Sequence, residues 1–579
     1  MYERRSSIER AAGSSAAFLL FWFACAGLAC AGMGGFQEKL QPIVQELDGD
    51  LQEWHVGPTV ALGETGTAKF VKPLLQTFDM DASMGLVRFI DGFYRAPANE
   101  GYDEVIDRMC DELAEAGFDG SDERLSFEVV ETANEFAWTP RSGKLVLEVD
   151  GEAERVLHEF NEASGVDRVM LPVNSPSCSV VGEVALNLAD LKQGMILVSA
   201  VKPSQALRRA KGRGAAAVVS ASLYSFNEDP TGKERHLDAI QFNTLDDDRE
   251  SMPVCHISQR TQHLIEAAVE RAKKRGARVR LRFDASVHRE GRPMRTLVAT
   301  IRGSTRPNEA IAMVSHVQEP GACDNATGVA GLLEGARSLA SLLEKGTIAW
   351  PARSLCFVWG DEFRQSEVWL NSTKMTPIIG ISSDMTGQSK ETGAIALLER
   401  MPDPGALKTI APDAHTPWGA GHVSADDMQP NGLAIIARCA MIDVGRVDGN
   451  WTSADHPWEG GSDHDIFIRK GIPAVLFWHF TDFTYHTSLD RMSYVDPEEI
   501  RRTGTALLAT ALAVADPRPE DLERYLLSLE KERILRVQAA EDHDEEGLVV
   551  HWEEWCLGAR EWLRNECLGI REEIPRKEK

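Results

Sequence analysis

No two cysteines in the chain stand at CxxC spacing, which removes a thiolate zinc cluster from consideration. Two of the ten cysteines, Cys25 and Cys30, fall in the N-terminal stretch, and the other eight are scattered singly. There is no GxSxG elbow, no phosphate-binding loop and no HExxH helix, so serine-hydrolase, NTPase and zincin chemistries have no carrier. Internal repeats and low-complexity tracts are also missing. Basic charge is in short supply: 62 Lys and Arg stand against 89 Asp and Glu, a formal net charge of -27. Such a chain repels phosphate backbones and anionic lipid, which argues against nucleic acid and anionic membrane as partners.

What remains is an ordinary globular balance, 43% hydrophobic and 26% charged, over 579 residues. That length suggests roughly two to four domains. The N-terminus reads as an address. Arg4, Arg5 and Arg10 precede an uncharged run from Ala11 to Gln37, which contains the small-x-small site Ala29-Cys30-Ala31. This pattern predicts a signal peptide over 1–31 and an exported protein. The competing reading is a retained membrane anchor, since an uncharged run of this length could span a bilayer. A lipid anchor on Cys30 fits less well, because Gly27 stands where a lipobox has Leu.

After a lead segment at 36–83, helical spacing runs from Met84 to Phe118, with Val105, Met109, Leu113 and Ala116 on one face. A β-rich region follows over 125–290: LSFEVVE, KLVLEVDG, GMILVSAV and AAAVVSAS read as strands, interrupted by one amphipathic helix near Thr261–Arg275. From 294 to 516 apolar strands alternate with helices, which predicts an α/β fold: a mostly parallel sheet with helices on both faces. The tail, 517–579, is acidic and Trp-bearing, with helical spacing broken between Glu541 and Gly547, and is expected to be a solvated appendage.

Metal-competent residues recur where the α/β strands end. Ala310–Val314 leads into Ser315 and His316; Leu355–Trp359 into Gly360, Asp361 and Glu362; Ile378–Ser383 into Asp384; and Ala474–Trp478 toward His486. Asp324 precedes a helix with Val329, Leu332, Leu333, Ala336 and Leu339 on one face. Open α/β sheets bind ligands beyond the carboxyl ends of their strands. Two His and three carboxylates thus gather at one edge. Singly, each reads as a loop residue, and Asp324 as a helix N-cap; together they read as one site. Imidazole and carboxylate suit zinc, and five ligands suit two ions sharing one carboxylate better than one tetrahedral ion. Asp361, beside Glu362, is placed to take a proton from an attacking water.

At these residues the sequence resembles the M28 family of zinc peptidases. The matching segments are SHVQEPGACDNATGVAGLLEGAR, FVWGDEF, ISSDMTG, GGSDHDIFIRKGIPAVLFWH and YHTSLDRMSYVDPEEI, in the family's order. FYRAPANEGYDEVIDRMCDELAEAGF resembles the start of the same catalytic domain, placed at 84–124. The resemblance implies a zinc aminopeptidase (phosphorylase/hydrolase-like) fold acting on peptides. It implies that His316, Asp324, Glu362, Asp384 and His486 bind two zinc ions, with Asp324 bridging and Asp361 as general base. Tyr485 matches a tyrosine that steadies the oxyanion in some members, or is a packed aromatic. Two positions depart from the family: its base is usually Glu, and the third residue of the first motif is Gln318 rather than Asp. Asp463 and His464 are candidates for supporting the site; His456 and His479 read as structural. DLKQGMILVSAVKPSQALRRAKGRGAAAVVS resembles a protease-associated domain, an insert common in the family. The leading expectation is an exported aminopeptidase. The alternatives are a glutaminyl cyclase with a single zinc, a carboxypeptidase, or a peptidase-like binding protein without catalysis.

Overall fold

The computed structural model describes residues 65–161, 168–246, 252–449 and 451–569. The expected signal segment at 1–31 and most of the lead segment lie outside them. In chain order the strands are β1 (Leu125–Thr132), β2 (Ala137–Val149), β3 (Arg155–Asn161), β4 (Cys178–Ala185), β5 (Ile196–Ser199), β6 (Ala217–Ser220), β7 (Val254–His256), β8 (Val279–Glu290), β9 (Met294–Ile301), β10 (Arg306–His316), β11 (Arg353–Gly360), β12 (Thr376–Ser383), β13 (Ile395–Glu399), β14 (Ser453–His456) and β15 (Ala474–Phe480).

Eight of them form one sheet in the order β1-β9-β11-β10-β12-β15-β13-β14. Its centre, β11-β10-β12-β15, is parallel throughout, so four strands deliver their carboxyl ends to one edge. The flanks are mixed: β1, β9 and β11 pair antiparallel, as do β13 and β15. β11 is buried along its whole length, and the apolar run Ala310–Val314 of β10 is fully inaccessible, as expected of strands covered on both faces. Helices Ala326–Glu344 and Pro497–Ala515 cover one face together with Ala68–Thr77, Met80–Asp91 and Leu433–Asp448; Arg364–Ser372 and His464–Arg469 pack against the sheet elsewhere. Pro497–Ala515 starts with Pro497 in the first turn and the Asp496 carboxylate accepting from Glu498 N. The Glu499 carboxylate, in the first turn, accepts from Trp451 Nε1 and faces His479 Nε2.

The other seven strands form a second sheet, β3-β2-β8-β4-β5-β6-β7, with its own apolar core. Three expectations are corrected. The strand at Leu125–Thr132, expected in the β-rich insert, pairs with β9 in the main sheet; its apolar face, led by fully buried Leu125, belongs to the larger core. The helix expected from Met84 to Phe118 is two helices, Met80–Asp91 and Glu100–Leu113. The break falls between Gly92, which ends the first helix, and Asn99, whose side chain caps the second by accepting from Tyr102 N. The tail is not a solvated appendage. Its helices, Leu522–Asp542 and Glu546–Leu568, bury Tyr525, Leu529, Trp552 and Leu563 in the main core, and Glu566 pairs with fully buried Arg353. Helical periodicity fixed the helices, but the buried face is visible only with its partner: a Cβ on Gly432 would meet Leu563 at 2.4 Å. No helix among the described residues is long and apolar enough to cross a membrane.

Candidate metal centre and active site

β10 ends in His316, whose side chain is 2% exposed. Its Nδ1 lies 3.2 Å from the main-chain carbonyl of Gln318. With the proton assigned to Nδ1, this contact turns Nε2 toward two carboxylates, Asp384 Oδ1 at 3.1 Å and Asp324 Oδ1 at 3.6 Å. A backbone carbonyl therefore orients the imidazole, the task a side-chain carboxylate performs where the motif has Asp. Gln318 turns its own amide elsewhere: its Oε1 accepts from Glu362 N at 2.8 Å and its Nε2 stands 3.4 Å from Glu362 Oε2.

Asp324 is freed from helix capping by its neighbour. Asn325 caps Ala326–Glu344 by accepting from Gly328 N, and its Nδ2 donates to His316 O and Ser383 O, tying the ends of β10 and β12 together. Asp490 grips the preceding turn, accepting from Cys323 N at 2.6 Å and Asp324 N at 2.9 Å. Asp384 follows β12 and accepts through Oδ2 from Ser462 Oγ at 2.9 Å, while its buried Oδ1 accepts no hydrogen bond. His486 sits in the loop after β15 with φ +53°, and its Nε2 is 3.0 Å from Asp324 Oδ2. Tyr485 stacks on that imidazole at 3.9 Å and also packs against Phe226 and Phe480.

Two groups of donor atoms result: His316, Asp324 and Asp384 in one, and Glu319, Asp324 and His486 in the other, each group within 4.8 Å. Asp324 belongs to both. Four of the five residues that sequence reading placed at the site are in these groups. Glu362 lines the same pocket of about 140 Å³ but belongs to neither group; Glu319, missed by the sequence reading, stands there instead. The only trace it leaves in sequence is a carboxylate three residues past His316.

The donor set fits divalent cations. A neutral His316 held by Gln318 presents an Nε2 lone pair to a carboxylate oxygen at 3.1 Å, an arrangement of two acceptors that needs a cation or an extra proton between them. The electrostatics agree. Burial alone would lower both imidazole pKa values, yet carboxylates outweigh it, Asp384 and Glu362 at His316 and Glu319 and Asp324 at His486, and hold both well above the usual range. Burial, reinforced by neighbouring carboxylates, holds Asp324 and Glu362 well above theirs. Without metal, the raised carboxyls of Asp324 and Glu362 retain their protons, whereas at Glu319 the neighbouring His486 outweighs burial and holds the carboxyl down at about 2.

Asp361 lies in an adjoining cavity of about 310 Å³, whose walls include Glu362, Glu319, Phe136, Trp138 and Phe242. Burial pushes its carboxyl up to about 7, against the opposing pull of Arg364. Asp463 braces the loop that carries Asp361 and Glu362, accepting from Phe363 N, Gln365 Nε2 and Ser366 Oγ. His464 pairs with Glu399, and His456 and His479 are held by Trp478 and Glu499 away from the donor groups.

The second sheet's region reaches the same site. Gln241 Nε2 and Phe242 N both donate to the His486 carbonyl at 2.6 Å, Asn227 Nδ2 donates to the carbonyls of Phe483 and Tyr485, and the Phe242 ring meets the His486 ring edge-on at 5.5 Å.

Residues 296–511 match the sequence profile of Peptidase family M28. The match covers the stretch that holds the site and supports a metallopeptidase, a hydrolase. No curated protein matches the chain in sequence. Its architecture is similar to that of a peptidase M28 precursor from Shewanella amazonensis SB2B, at 16% identity over 77% of this chain and 96% of that one, with a TM-score of 0.52. It is also similar to BSAP, a zinc aminopeptidase from Bacillus subtilis (14% identity, 75% and 95% covered, TM-score 0.49), and to a glutaminyl cyclase from Porphyromonas gingivalis (12%, 75% and 97%, TM-score 0.35).

Proposed function

We propose that the protein is an exported zinc aminopeptidase that binds two ions through His316, Asp324, Asp384, His486 and a further carboxylate. The observation that carries this reading is the pair of donor groups sharing Asp324 at one sheet edge. Zinc bound there supplies a Lewis acid for the scissile carbonyl and acidifies a water molecule. The chain's own residues do the rest. Asp361, with its carboxyl near neutrality, accepts the proton of the attacking water and returns it to the leaving amine. Tyr485 lines the metal pocket, where its hydroxyl can donate to the oxyanion. The aromatic wall of the adjoining cavity excludes water and offers room for a substrate side chain.

The choice of aminopeptidase over carboxypeptidase rests on charge. Among the described residues lining the two cavities, Arg95 is the single Lys or Arg, and its guanidinium is spent on main-chain carbonyls. A substrate carboxylate would find no partner, whereas an N-terminal ammonium suits the acidic lining. The β-rich region, read as a protease-associated insert, would act by covering the His486 loop and shaping the cavity.

The test is an activity screen on aminoacyl and N-terminally blocked dipeptide substrates, with and without zinc. Zinc-dependent release of N-terminal residues supports the reading. Cyclisation of N-terminal Gln with one bound ion would replace it by the cyclase alternative, and full metal content without turnover by a binding protein. Export predicts a mature N-terminus near Gly32; exported material that still begins at Met1 would mean a retained anchor.

A further inference from the structure

We propose that Glu319 is a direct metal ligand, completing with Asp324 and His486 the binding of one ion in the place that the family resemblance gives to Glu362. The proposal rests on the metallopeptidase reading and deepens it. Glu319 Oε2 stands 2.7 Å from His486 Nε2, which in turn stands 3.0 Å from Asp324 Oδ2. These three donors form a compact group of the same kind as His316, Asp324 and Asp384. Glu362 lines the same pocket but falls outside both groups; its main-chain N–H donates to the Gln318 amide oxygen, and the Gln318 amide nitrogen stands 3.4 Å from its carboxylate. The departure of Gln318 from the usual Asp thus goes with a change of ligand one residue later.

The loop is built to aim Glu319 inward. Arg95, fully buried, holds it at three points. Nε donates to Val317 O at 2.8 Å, Nη2 donates to Gly321 O at 2.7 Å, and the Arg95 carbonyl accepts from Glu319 N at 2.7 Å. Between these points Glu319 takes φ +87°, a left-handed conformation rarely adopted by a residue with a side chain and disfavoured further by the proline that follows. From the other end, Asp490 packs so closely on Gly321 that a Cβ there would fall 2.0 Å from its carboxylate. Strain held in place on both sides, with the side chain delivered to two metal-competent partners, is how a fold secures a ligand rather than a solvated loop residue.

The experiment compares full-length wild type with Glu319→Gln, Glu319→Asp and Glu362→Gln. It measures zinc content by elemental analysis, zinc affinity by chelator competition, and the visible spectrum of the cobalt-substituted protein; circular dichroism confirms folding. Wild type is expected to bind two equivalents. Glu319→Gln should keep one tight ion and bind the second at least about a hundredfold more weakly, since even indirect supporting partners change affinity by about 10–100-fold. Its cobalt spectrum should change. Glu319→Asp, with the carboxylate withdrawn by one methylene, should fall between. Glu362→Gln should retain both ions within about threefold. Two tight ions and an unchanged cobalt spectrum in Glu319→Gln would overturn the assignment alone, as would loss of one ion in Glu362→Gln but not in Glu319→Gln. A wild-type chain that binds no metal would overturn this assignment and the metallopeptidase reading together.

Discussion

Replacing Arg95 with methionine keeps most of the side-chain volume and removes every donor. The guanidinium, which has no solvent exposure, donates to Val317 O, Gly321 O and Ile90 O at 2.7–2.8 Å and to Phe93 O at 3.3 Å. Ile90 O also accepts from Phe93 N, and the Phe93 contact is long, so the main loss falls on Val317 and Gly321, the two ends of the loop that carries Glu319. A hydrogen bond from a charged donor contributes about 1.5–3 kcal/mol, and a buried carbonyl left without a donor is not relieved by apolar packing around it. Two such bonds give about 3–6 kcal/mol of destabilisation for Arg95→Met. Urea unfolding at neutral pH measures this, and elemental analysis of the folded fraction should show reduced zinc, because a relaxed loop no longer aims Glu319. Arg95→Lys, which keeps the charge but cannot span both carbonyls, should lie between. An Arg95→Met protein within about 1 kcal/mol of wild type and carrying full zinc would refute the clamp and weaken the case for a preset loop.

His316→Ala and Asp384→Ala should lower zinc content and abolish hydrolysis while the fold survives, and Asp324→Ala should be worst because both donor groups share it; full zinc in any of them removes that residue from the ligand set. Asp361→Asn should keep its zinc and lose activity by a factor of about a hundred or more, as expected for a general base, while Asp361→Glu keeps or raises it; a near-neutral Asn variant would show that Asp361 merely braces its loop. His256, at the end of β7, is fully buried with neither ring nitrogen hydrogen-bonded, and burial lowers its pKa from 6.5 to about 3. Since its folded pKa is depressed, the unfolded chain takes up the proton first. Its effect is absent above pH 6.5, and stability falls as the pH drops from 6.5 toward 3, by about 1.4 kcal/mol per unit, or about 2 kcal/mol by pH 5. Urea unfolding at pH 7.5 and 5.0 should show that His256→Leu loses about this much less than wild type; equal acid losses would mean that His256 stays solvated.

The α/β alternation was legible because buried parallel strands are continuous apolar runs, and the residues after them were legible because strand ends converge. His316, Asp324, Asp384 and His486 were found that way, although they span 170 residues of chain. Glu319 was not, since a left-handed residue in a loop has no periodicity to betray it. Its aim depends on Arg95, more than two hundred residues earlier. The same blindness hid the hold of Gln241, Phe242 and Asn227 on the His486 loop, which is made by main-chain carbonyls and carries no sequence pattern. The β1 boundary failed because LSFEVVE reads identically in either sheet. The tail failed because acidic composition says how a surface is solvated, not that Tyr525, Trp552 and Leu563 lie underneath.

The most direct test of the central claim is to count zinc in the purified full-length protein and follow release of N-terminal residues from unblocked peptides as zinc is removed and restored. The account predicts two equivalents of zinc and hydrolysis that disappears with a chelator and returns on adding zinc. Zinc-free protein that still cleaves, or protein with both ions bound that releases no N-terminal residue, would contradict it.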